Sequence, residues 1–250
     1  MNIALIGYGR MGHRIEALSP DHNADVQLIL DIHNNKNGSG ITEESMASID
    51  AVIDFSHPDV FKTNFEKVLQ TGTPVVIGTT GWLDNRQAID EICTQYETPA
   101  LYGSNFSLGV QLFAKLIQQA GEIFGDGEFF DTNLNEVHHT QKADAPSGTA
   151  YTLADLWLKG ASSDKKVQYG IPEKGQVDED KFYVTSQRLG SIFGEHQLRI
   201  NSEFDDIVLT HRARSRDAFA AGALKAAQWI LKQKPGFYLI EDVVEEVVKL

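Results

Sequence analysis

The residues best suited to chemistry are concentrated in one run, 136–150, which has the sequence EVHHTQKADAPSGTA. It contains two adjacent histidines, His138 and His139, and the lysine Lys142. Histidine exchanges protons near neutral pH, and a lysine ammonium is a second proton donor. Ser147, which follows a proline, is typical of a helix start, where backbone N–H groups and the positive end of the helix dipole favour a bound anion. The run therefore predicts a site that holds a carboxylate and delivers a proton.

Two other interpretations of this run stay open. Paired histidines can bind a metal ion, but adjacent residues of a strand point to opposite faces, and no carboxylate or cysteine pattern completes a ligand set. We therefore predict no metal site. The second alternative is a solvated polar loop without a ligand.

A glycine motif near the start of the chain predicts a dinucleotide site. Residues 7–12 read GYGRMG and match G-x-G-x-x-G, directly after a strand predicted for Asn2–Ile6 and at the start of a helical pattern over Met11–Leu18. In this context the glycines let the backbone approach a pyrophosphate at a helix N-terminus. Asp31, nineteen residues after Gly12, stands where a ribose-binding carboxylate belongs. A glycine turn without a ligand is the alternative.

Two further turns follow predicted strands. Residues 78–81 read GTTG and residues 103–106 read GSNF. Parallel sheets bind ligands at the carboxyl ends of their strands, so both turns are expected to line the crevice that holds the dinucleotide. Taken alone, the first of them is equally compatible with a turn that contacts no ligand.

Strand and helix patterns alternate over the first part of the chain, which favours an α/β fold with a Rossmann-type, doubly wound parallel sheet. We assign this dinucleotide-binding domain to residues 1–106, completed by residues 217–250. The predicted strands are Asn2–Ile6, Gln27–Asp31, Ala51–Phe55, Pro74–Gly78 and Ala100–Gly103, and the helices between them include Pro58–Thr71 and Asp84–Gln95.

After Asn105 the pattern changes, because three strand patterns arrive without helices between them. This predicts a mostly antiparallel sheet in an inserted α+β domain, residues 107–216. Its predicted elements are a helix over Leu108–Phe124, a strand over Asp131–Val137, a helix over Ser147–Lys159, a surface loop over Ala161–Lys181, and strands over Phe182–Arg188, His196–Asn201 and Asp206–Arg212. A helical pattern returns over Asp217–Lys232, and Phe237–Leu250 forms the last segment.

Composition excludes several classes of protein. The 250 residues include 22 Lys and Arg against 35 Asp and Glu, a formal net charge of −13. Such a chain repels nucleic acid, so no nucleic-acid partner is expected. The sequence has no apolar run long enough to suggest a membrane span and no signal peptide. Its one cysteine, Cys93, is expected to be a buried apolar residue of a cytoplasmic protein.

The run H-H-x-x-K-x-D-A-P-S-G-T resembles the signature of the 4-hydroxy-tetrahydrodipicolinate reductase family, also called dihydrodipicolinate reductases, of bacterial lysine and diaminopimelate synthesis. The similarity covers almost the whole chain. Further matches are GYGRMG from Gly7, DFSHP from Asp54, VIGTTG from Val76, NFSLGV from Asn105, and R-x-G-x-x-x-G-E-H from Arg188 to His196.

The resemblance implies hydride transfer from NADH or NADPH to a cyclic unsaturated imine dicarboxylate, with a proton supplied by the enzyme. It implies that His138 is the catalytic proton donor or acceptor, that Lys142 is a proton donor, that His139 contacts the substrate, and that Gly148 and Thr149 hold a substrate carboxylate through their N–H groups. The implied cofactor contacts are Gly7, Tyr8, Gly9, Arg10, Met11, Gly12, Asp31, Gly78, Thr79, Thr80, Gly103, Ser104, Asn105 and Phe106. It also implies a homotetramer assembled through the sheet and the 161–181 loop of the second domain.

This sequence departs from the family pattern at two places. Its glycine loop is one residue shorter than the frequent G-A-x-G-R-M-G, and Ile32 stands where many members have an arginine after the ribose-binding acid. The second departure leaves the choice between NADH and NADPH open. An aldehyde-oxidising dehydrogenase and a dinucleotide-sensing regulator are the rival functions, but the former needs a nucleophilic cysteine and the latter a partner or DNA-binding module.

Other charged residues carry weaker expectations. Arg212, Arg214 and Arg216 precede the helical pattern that begins at residue 217, and each is either a ligand contact or surface charge. His196 and His211 lie in predicted strands, and we expect structural or interfacial roles for them.

Overall fold

The computed structural model describes residues 1–82, 86–125, 129–172 and 174–248. The chain divides into two compact units, Met1–Leu108 with Arg216–Leu250, and Gly109–Ser215. The helix start predicted at Asp84 lies outside the described residues. No helix in the described ranges is long and apolar enough to cross a membrane.

The first unit contains a six-stranded sheet in the order β11-β5-β4-β3-β1-β2, and every neighbouring pair is parallel. This confirms the predicted parallel sheet. Strands buried on both faces read as continuous apolar runs, which is why the sequence revealed them. The strands are β1 (Asn2–Ile6), β2 (Asp25–Leu30), β3 (Ala51–Asp54), β4 (Val75–Ile77), β5 (Pro99–Tyr102) and β11 (Gly236–Leu239).

Helices cover both faces of this sheet. Alternate residues of β1 belong to different hydrophobic clusters, with Ile3 and Leu5 in one and Ala4 and Ile6 in the other. The first cluster is completed by the alanine-rich helix α7, and the second by aromatic residues of α3. The helices are α1 (Arg10–Leu18), α2 (Glu43–Met46), α3 (Pro58–Gln70), α4 (Arg86–Gln95), α7 (Asp217–Ile230) and α8 (Ile240–Val248), with short 3₁₀ helices at Pro20–His22 and Lys36–Gly38.

The second unit contains a five-stranded sheet in the order β10-β9-β6-β8-β7. Leu134, Val184 and Leu198 from its three central strands form a core with Ile117 and Leu153 from two helices. The strands are β6 (Asp131–His138), β7 (Lys166–Tyr169), β8 (Lys181–Arg188), β9 (Glu195–Asn201) and β10 (Asp206–Arg212), and the helices are α5 (Leu108–Phe124) and α6 (Gly148–Ala161).

Two expectations for the second unit are corrected. The sheet is mixed rather than mostly antiparallel, because β6 runs parallel to β8 and β8 runs parallel to β7. The predicted 161–181 loop contains β7, a short edge strand that reads KVQY and has no fully buried residue. An edge strand of alternating polar residues lacks the apolar run that reveals a central strand, so its composition resembles that of a loop.

Candidate active site

A buried carboxylate, Glu136, lies at the centre of the second unit's polar cluster, and its side chain is 0% exposed. Its Oε1 accepts a hydrogen bond of 3.0 Å from the backbone N–H of Ser147 and one of 3.5 Å from Nη1 of Arg188. Its Oε2 lies 3.3 Å from Nδ1 of His138 and 3.6 Å from Nε2 of His196. One carboxylate therefore contacts groups from three strands and from the residue that precedes α6.

Strand register brings these side chains together. Glu136 and His138 are two residues apart on β6, so they face the same side of the sheet. Glu136 is paired with His196 on β9, and His138 is paired with Arg188 on β8. The central position of β6 thus assembles the cluster from residues that are far apart in the sequence.

The environment of Glu136 determines its ionisation. Burial alone would raise the pKa of this carboxyl, but the donors of His138, His196 and Ser147 outweigh burial and hold the pKa well below its usual range. Glu136 is therefore an ionised acceptor at neutral pH.

The ring of His138 is buried at the end of β6. Its Nδ1 is the nitrogen nearest Glu136. A Cβ added at Gly194 would lie 3.0 Å from its Nε2, so a side chain at that position would crowd this nitrogen. The ring packs edge-on against His196, with 5.3 Å between the centroids.

The lysine of the motif has a carboxylate partner. Nζ of Lys142 donates a hydrogen bond of 2.6 Å to Oδ1 of Asp144, which lowers the pKa of that aspartate. Arg188 donates to the backbone carbonyl of Asp144, and this bond ties the loop to β8. His139, one residue beyond β6, is half-buried. The two predicted proton-exchanging residues therefore lie in one segment that Arg188 anchors.

The start of α6 has the geometry of an anion site. Ser147 caps the helix by accepting a hydrogen bond of 3.1 Å from the N–H of Ala150, and its own Oγ lies 3.3 Å from Nε2 of His196. Apart from its chain neighbours and the backbone of its own helix, no described atom lies within 4 Å of a Cβ built at Gly148. Backbone N–H groups of a first helical turn project from the helix end, so this open position suits a carboxylate.

The glycine loop of the first unit leaves space where a phosphate would approach. Gly7 has φ +89°, and a Cβ there would lie 2.3 Å from the carbonyl oxygen of Phe55. In the described part of the chain, no atom other than those of its chain neighbours lies within 4 Å of a Cβ built at Gly9. Gly9 is the N-cap of α1, and Arg10 and Met11 are the first residues of that helix. The loop is therefore tight at its first glycine and open at its second, as a pyrophosphate requires.

A cavity of about 660 Å³ adjoins this loop within the first unit. Asp31 lies at the carboxyl end of β2, and its Oδ1 accepts a hydrogen bond of 2.8 Å from the N–H of His33. Ile32 is 83% exposed. The residues lining the cavity include Gly7, Tyr8, Gly9, Asp31, Ile32, His33, Lys36, Ser56 and His57.

The 78–81 turn is attached to the end of β3. Asp54 is buried, and its Oδ1 accepts hydrogen bonds of 2.8 Å from Oγ1 of Thr79 and from the N–H of Ser56. Burial raises the pKa of Asp54. Trp82 donates from Nε1 to the carbonyl oxygen of Thr79 at 2.5 Å. These bonds fix Gly78 and Thr79, whereas the neighbouring Thr80 is exposed.

The 103–106 turn is more deeply packed than its predicted role suggests. A Cβ at Gly103 would lie 3.0 Å from the ring of Phe106, and that ring is 2% exposed in the core. Ser104 is exposed, and Oδ1 of Asn105 accepts a hydrogen bond of 2.9 Å from the N–H of Ser107. The side chain of Phe106 is therefore part of the core, so any contact between this residue and a ligand must be made by its backbone.

Among the residues the structure describes, one group of donor atoms has the spacing of a metal site. Atoms of Glu136, His138 and His196 lie within 4.8 Å of one another. The sequence argument that no carboxylate completes a ligand set is therefore wrong. Arg188 already places a permanent positive charge beside the same carboxylate, so we interpret the cluster as an ion-paired network.

Sequence reasoning assigned no role to Glu136, Arg188 or Asp144. The period of two in a strand would have placed Glu136 beside His138, but the contributions of β8 and β9 depend on strand order.

Arg212 forms an ion pair of 2.8 Å with Glu195, so the structure pairs this arginine within its own sheet. His196 belongs to the Glu136 cluster, and burial lowers the pKa of His211.

The first unit is of the Rossmann type and has an open glycine loop. The second unit has a histidine, a lysine and a helix start that is open to a ligand. Together these features are typical of an oxidoreductase that acts on a small anionic substrate. Two family models match the chain, "Dihydrodipicolinate reductase, N-terminus" over residues 1–106 and "Dihydrodipicolinate reductase, C-terminus" over residues 109–244. The chain belongs to the dihydrodipicolinate reductase family, which confirms the resemblance found in the sequence.

Two curated relatives match this chain over all or nearly all of their length. The chain is 39% identical over 251 residues to the 4-hydroxy-tetrahydrodipicolinate reductase of Christiangramia forsetii, covering 100% of each chain. It is 37% identical over 247 residues to that of Campylobacter lari, covering 97% of this chain and 98% of the relative. The activity of this chain is the reduction of 4-hydroxy-tetrahydrodipicolinate in lysine and diaminopimelate biosynthesis.

Solved structures share the fold. The dipicolinate-bound dihydrodipicolinate reductase from Paenisporosarcina sp. TG-14 has a TM-score of 0.78 at 24% identity, covering 97% of this chain and 98% of that one. The amine dehydrogenase of Mycobacterium smegmatis has a TM-score of 0.62 at 8% identity, covering 96% of this chain and 95% of that one.

The aldehyde-oxidising alternative lacks its nucleophile, because Cys93 is buried and burial raises its pKa to about 12.

Proposed function

We propose that this chain reduces its substrate at a site formed by His138, Lys142 and the start of α6. His138 donates or accepts the proton of the reaction, and Lys142 is a further proton donor. His139 contacts the substrate, and the N–H groups of Gly148 and Thr149 hold one of its carboxylates. The observation that supports this most directly is the anchoring of His138 and of the α6 cap, Ser147, to the same carboxylate of Glu136.

Charge supports this placement. The chain carries a net charge of −13, yet its substrate is a dicarboxylate, so binding requires a local excess of positive groups. Lys142 and Arg188 are each paired with a carboxylate, Asp144 and Glu136. The N-terminal end of α6 therefore supplies the positive potential that these pairs leave, within the same unit. Hydride addition leaves negative charge on the substrate, and a proton from the enzyme neutralises it.

We infer that residues 1–106 with 217–250 form the dinucleotide-binding domain. NADH or NADPH supplies the hydride when bound. The open position at Gly9 and the cavity that Asp31 lines support this assignment. The proposed contacts are Gly7, Tyr8, Gly9, Arg10, Met11, Gly12, Asp31, Gly78, Thr79, Thr80, Gly103, Ser104, Asn105 and Phe106. Because a carboxylate at residue 31 favours a ribose hydroxyl over a phosphate, we expect both cofactors to be used with a preference for NADH.

We further propose that residues 107–216 bind the substrate and assemble a homotetramer. Exposed apolar side chains in this unit support the assembly. Ile171 and Val177 are exposed in the 161–181 segment, and Phe204 and Val208 are exposed just before and within β10. Large exposed apolar groups often mark protein interfaces. Sedimentation is expected to give a tetramer, and a monomer at all concentrations would contradict the assembly. A biosynthetic role and a single buried thiol support a cytoplasmic location.

The activity is tested by following NADH absorbance while the enzyme of the preceding step generates the substrate in situ. We expect oxidation of NADH that depends on this chain and a kcat at least about 10²-fold lower in the His138→Gln variant. Calorimetry with NADH reports whether each protein still binds the dinucleotide. Binding without oxidation in the wild-type protein would refute the proposed activity.

A further inference from the structure

We propose that Glu136 is a positioning residue of this reaction, which places the ring proton of His138 on Nδ1 and fixes the start of α6 beside the same ring. The inference builds on the proposed role of His138. Glu136 is fully buried, so it acts through these neighbours rather than through contact with the substrate.

The two oxygens of this carboxylate have separate partners. Oε1 receives the Ser147 N–H at 3.0 Å and the Arg188 guanidinium at 3.5 Å. Both partners are permanent donors, because neither a backbone N–H group nor a guanidinium can accept a hydrogen bond. Oε2 is left for the ring nitrogens of His138 and His196 at 3.3 and 3.6 Å.

This division determines the tautomer of His138. An ionised carboxylate only accepts hydrogen bonds, so the nitrogen that faces it must carry a proton. In the neutral ring that proton is on Nδ1, and Nε2 remains the nitrogen that exchanges a proton with the substrate. The orientation of the ring and the identity of the reactive nitrogen thus follow from one buried charge.

The same charge connects the proton-transfer residue to the carboxylate site. Ser147 is the cap of α6, and its N–H is held by Oε1 while its Oγ contacts His196. Displacement of Glu136 would move the ring and the helix start together. We therefore expect a change at Glu136 to lower both the rate and the affinity for the substrate dianion, while the dinucleotide loop, which belongs to the other unit, keeps its own structure.

The decisive variant is Glu136→Gln, which keeps the shape and removes the charge. The amide oxygen must occupy the place of Oε1, because Ser147 and Arg188 both donate there, so the amide NH₂ faces Nδ1 of His138. The ring then carries its proton on Nε2, the wrong nitrogen. A carboxylate-to-amide exchange that reverses a catalytic histidine tautomer costs about 10⁴-fold in a serine protease, and general acid–base catalysis is worth about 10² to 10⁴.

We expect kcat to fall by about 10² to 10⁴ in Glu136→Gln, with the KM for NADH unchanged. Glu203→Gln is the matched control, because Glu203 is an exposed glutamate of the same unit, and its kcat should stay within about twofold of wild type. A kcat of Glu136→Gln within threefold of wild type would overturn the proposal.

A double-variant cycle separates positioning from a purely structural effect. If Glu136 acts through His138, adding Glu136→Gln to His138→Gln should lower kcat by less than about threefold further, because the target of its action is gone. Full multiplication of the two single effects would overturn the proposal. The proposed role of His138 fails separately, through an undiminished kcat in His138→Gln alone.

A measurement on the wild-type protein covers the case in which Glu136→Gln does not fold. Histidines labelled with ¹⁵N report which ring nitrogen carries the proton, and His138→Gln identifies the signal. We expect the neutral ring of His138 to be protonated on Nδ1. Protonation on Nε2 in the free enzyme would overturn the proposal.

Discussion

We predict that the choice between NADH and NADPH depends on the carboxylate of Asp31, and the Asp31→Asn variant tests this prediction. Asp31 directly follows β2 and lines the cavity beside Gly9, and its Oδ1 accepts a hydrogen bond of 2.8 Å from the N–H of His33. An asparagine can keep that bond through its own Oδ1, so the variant removes charge and preserves the turn. In NADPH a phosphate replaces the ribose hydroxyl that this carboxylate would bind.

The magnitude follows from Coulomb's law. Two unit charges about 5 Å apart at an effective dielectric near 20 repel by roughly 3 kcal/mol before screening. The cavity is open to solvent, and Lys36 and His33 line it, so about 1 to 2 kcal/mol should remain at physiological salt. That energy corresponds to about a 5- to 30-fold change in relative efficiency.

The assay is kcat/KM for NADH and for NADPH at one ionic strength. We expect the NADPH-to-NADH ratio to rise by about 5- to 30-fold in Asp31→Asn. Asp21→Asn is the matched control, since Asp21 is exposed in the Pro20–His22 turn, and it should leave the ratio unchanged. A ratio that does not rise in Asp31→Asn would refute the reasoning, as would a wild-type preference for NADPH of about tenfold or more.

Three further changes test other parts of the site and fold. Lys142→Ala should lower kcat by about 10² to 10⁴ with NADH binding retained, because it removes a proton donor that Asp144 holds in place; near wild-type turnover would contradict this role. Thr149→Pro removes one N–H from the first turn of α6, where proline is tolerated, so calorimetry should show weaker binding of pyridine-2,6-dicarboxylate but not of NADH; unchanged affinity in a folded variant would place the carboxylate site elsewhere. Burial raises the pKa of Asp54, so the folded protein favours the protonated carboxyl. The stability that this contributes is fully present below the ordinary pKa of aspartate, and it is lost as pH rises through the higher pKa of the folded state. Urea unfolding across that range should show a smaller decline for Asp54→Asn than for the wild-type protein, and equal slopes would contradict the prediction.

The sequence predicts the first unit well because its central strands are apolar on both faces. The runs around β1, β3 and β4 are continuous, and β1 and β4 are followed by glycine-containing turns that mark the carboxyl edge. β7 escapes prediction because its four residues are polar or half-buried at a sheet edge. Local composition cannot separate such a strand from a loop.

The sequence alone suggests that the histidine–lysine run delivers a proton, because its residues are neighbours in sequence, and this role stays a prediction. The supporting network of this run could not be predicted, since Arg188 and His196 reach Glu136 only through the order β9-β6-β8. Burial also changes what the residue type suggests. Glutamate is a common surface residue, and Glu136 is unusual because it is buried on β6 between the neighbouring strands β8 and β9.

The division of the first unit into two stretches of chain has a consequence for its synthesis. A ribosome releases β1 to β5 well before α7 and β11, because residues 109–215 are translated between them. Until then β5 exposes the hydrogen-bonding edge that β11 later covers, and Ile3, Leu5 and Ile53 lack the helix that buries them. While the second unit is being synthesised and folds, the nascent chain therefore contains five of the six strands, with one sheet edge and one apolar face uncovered. In that state aggregation and chaperone binding compete with folding.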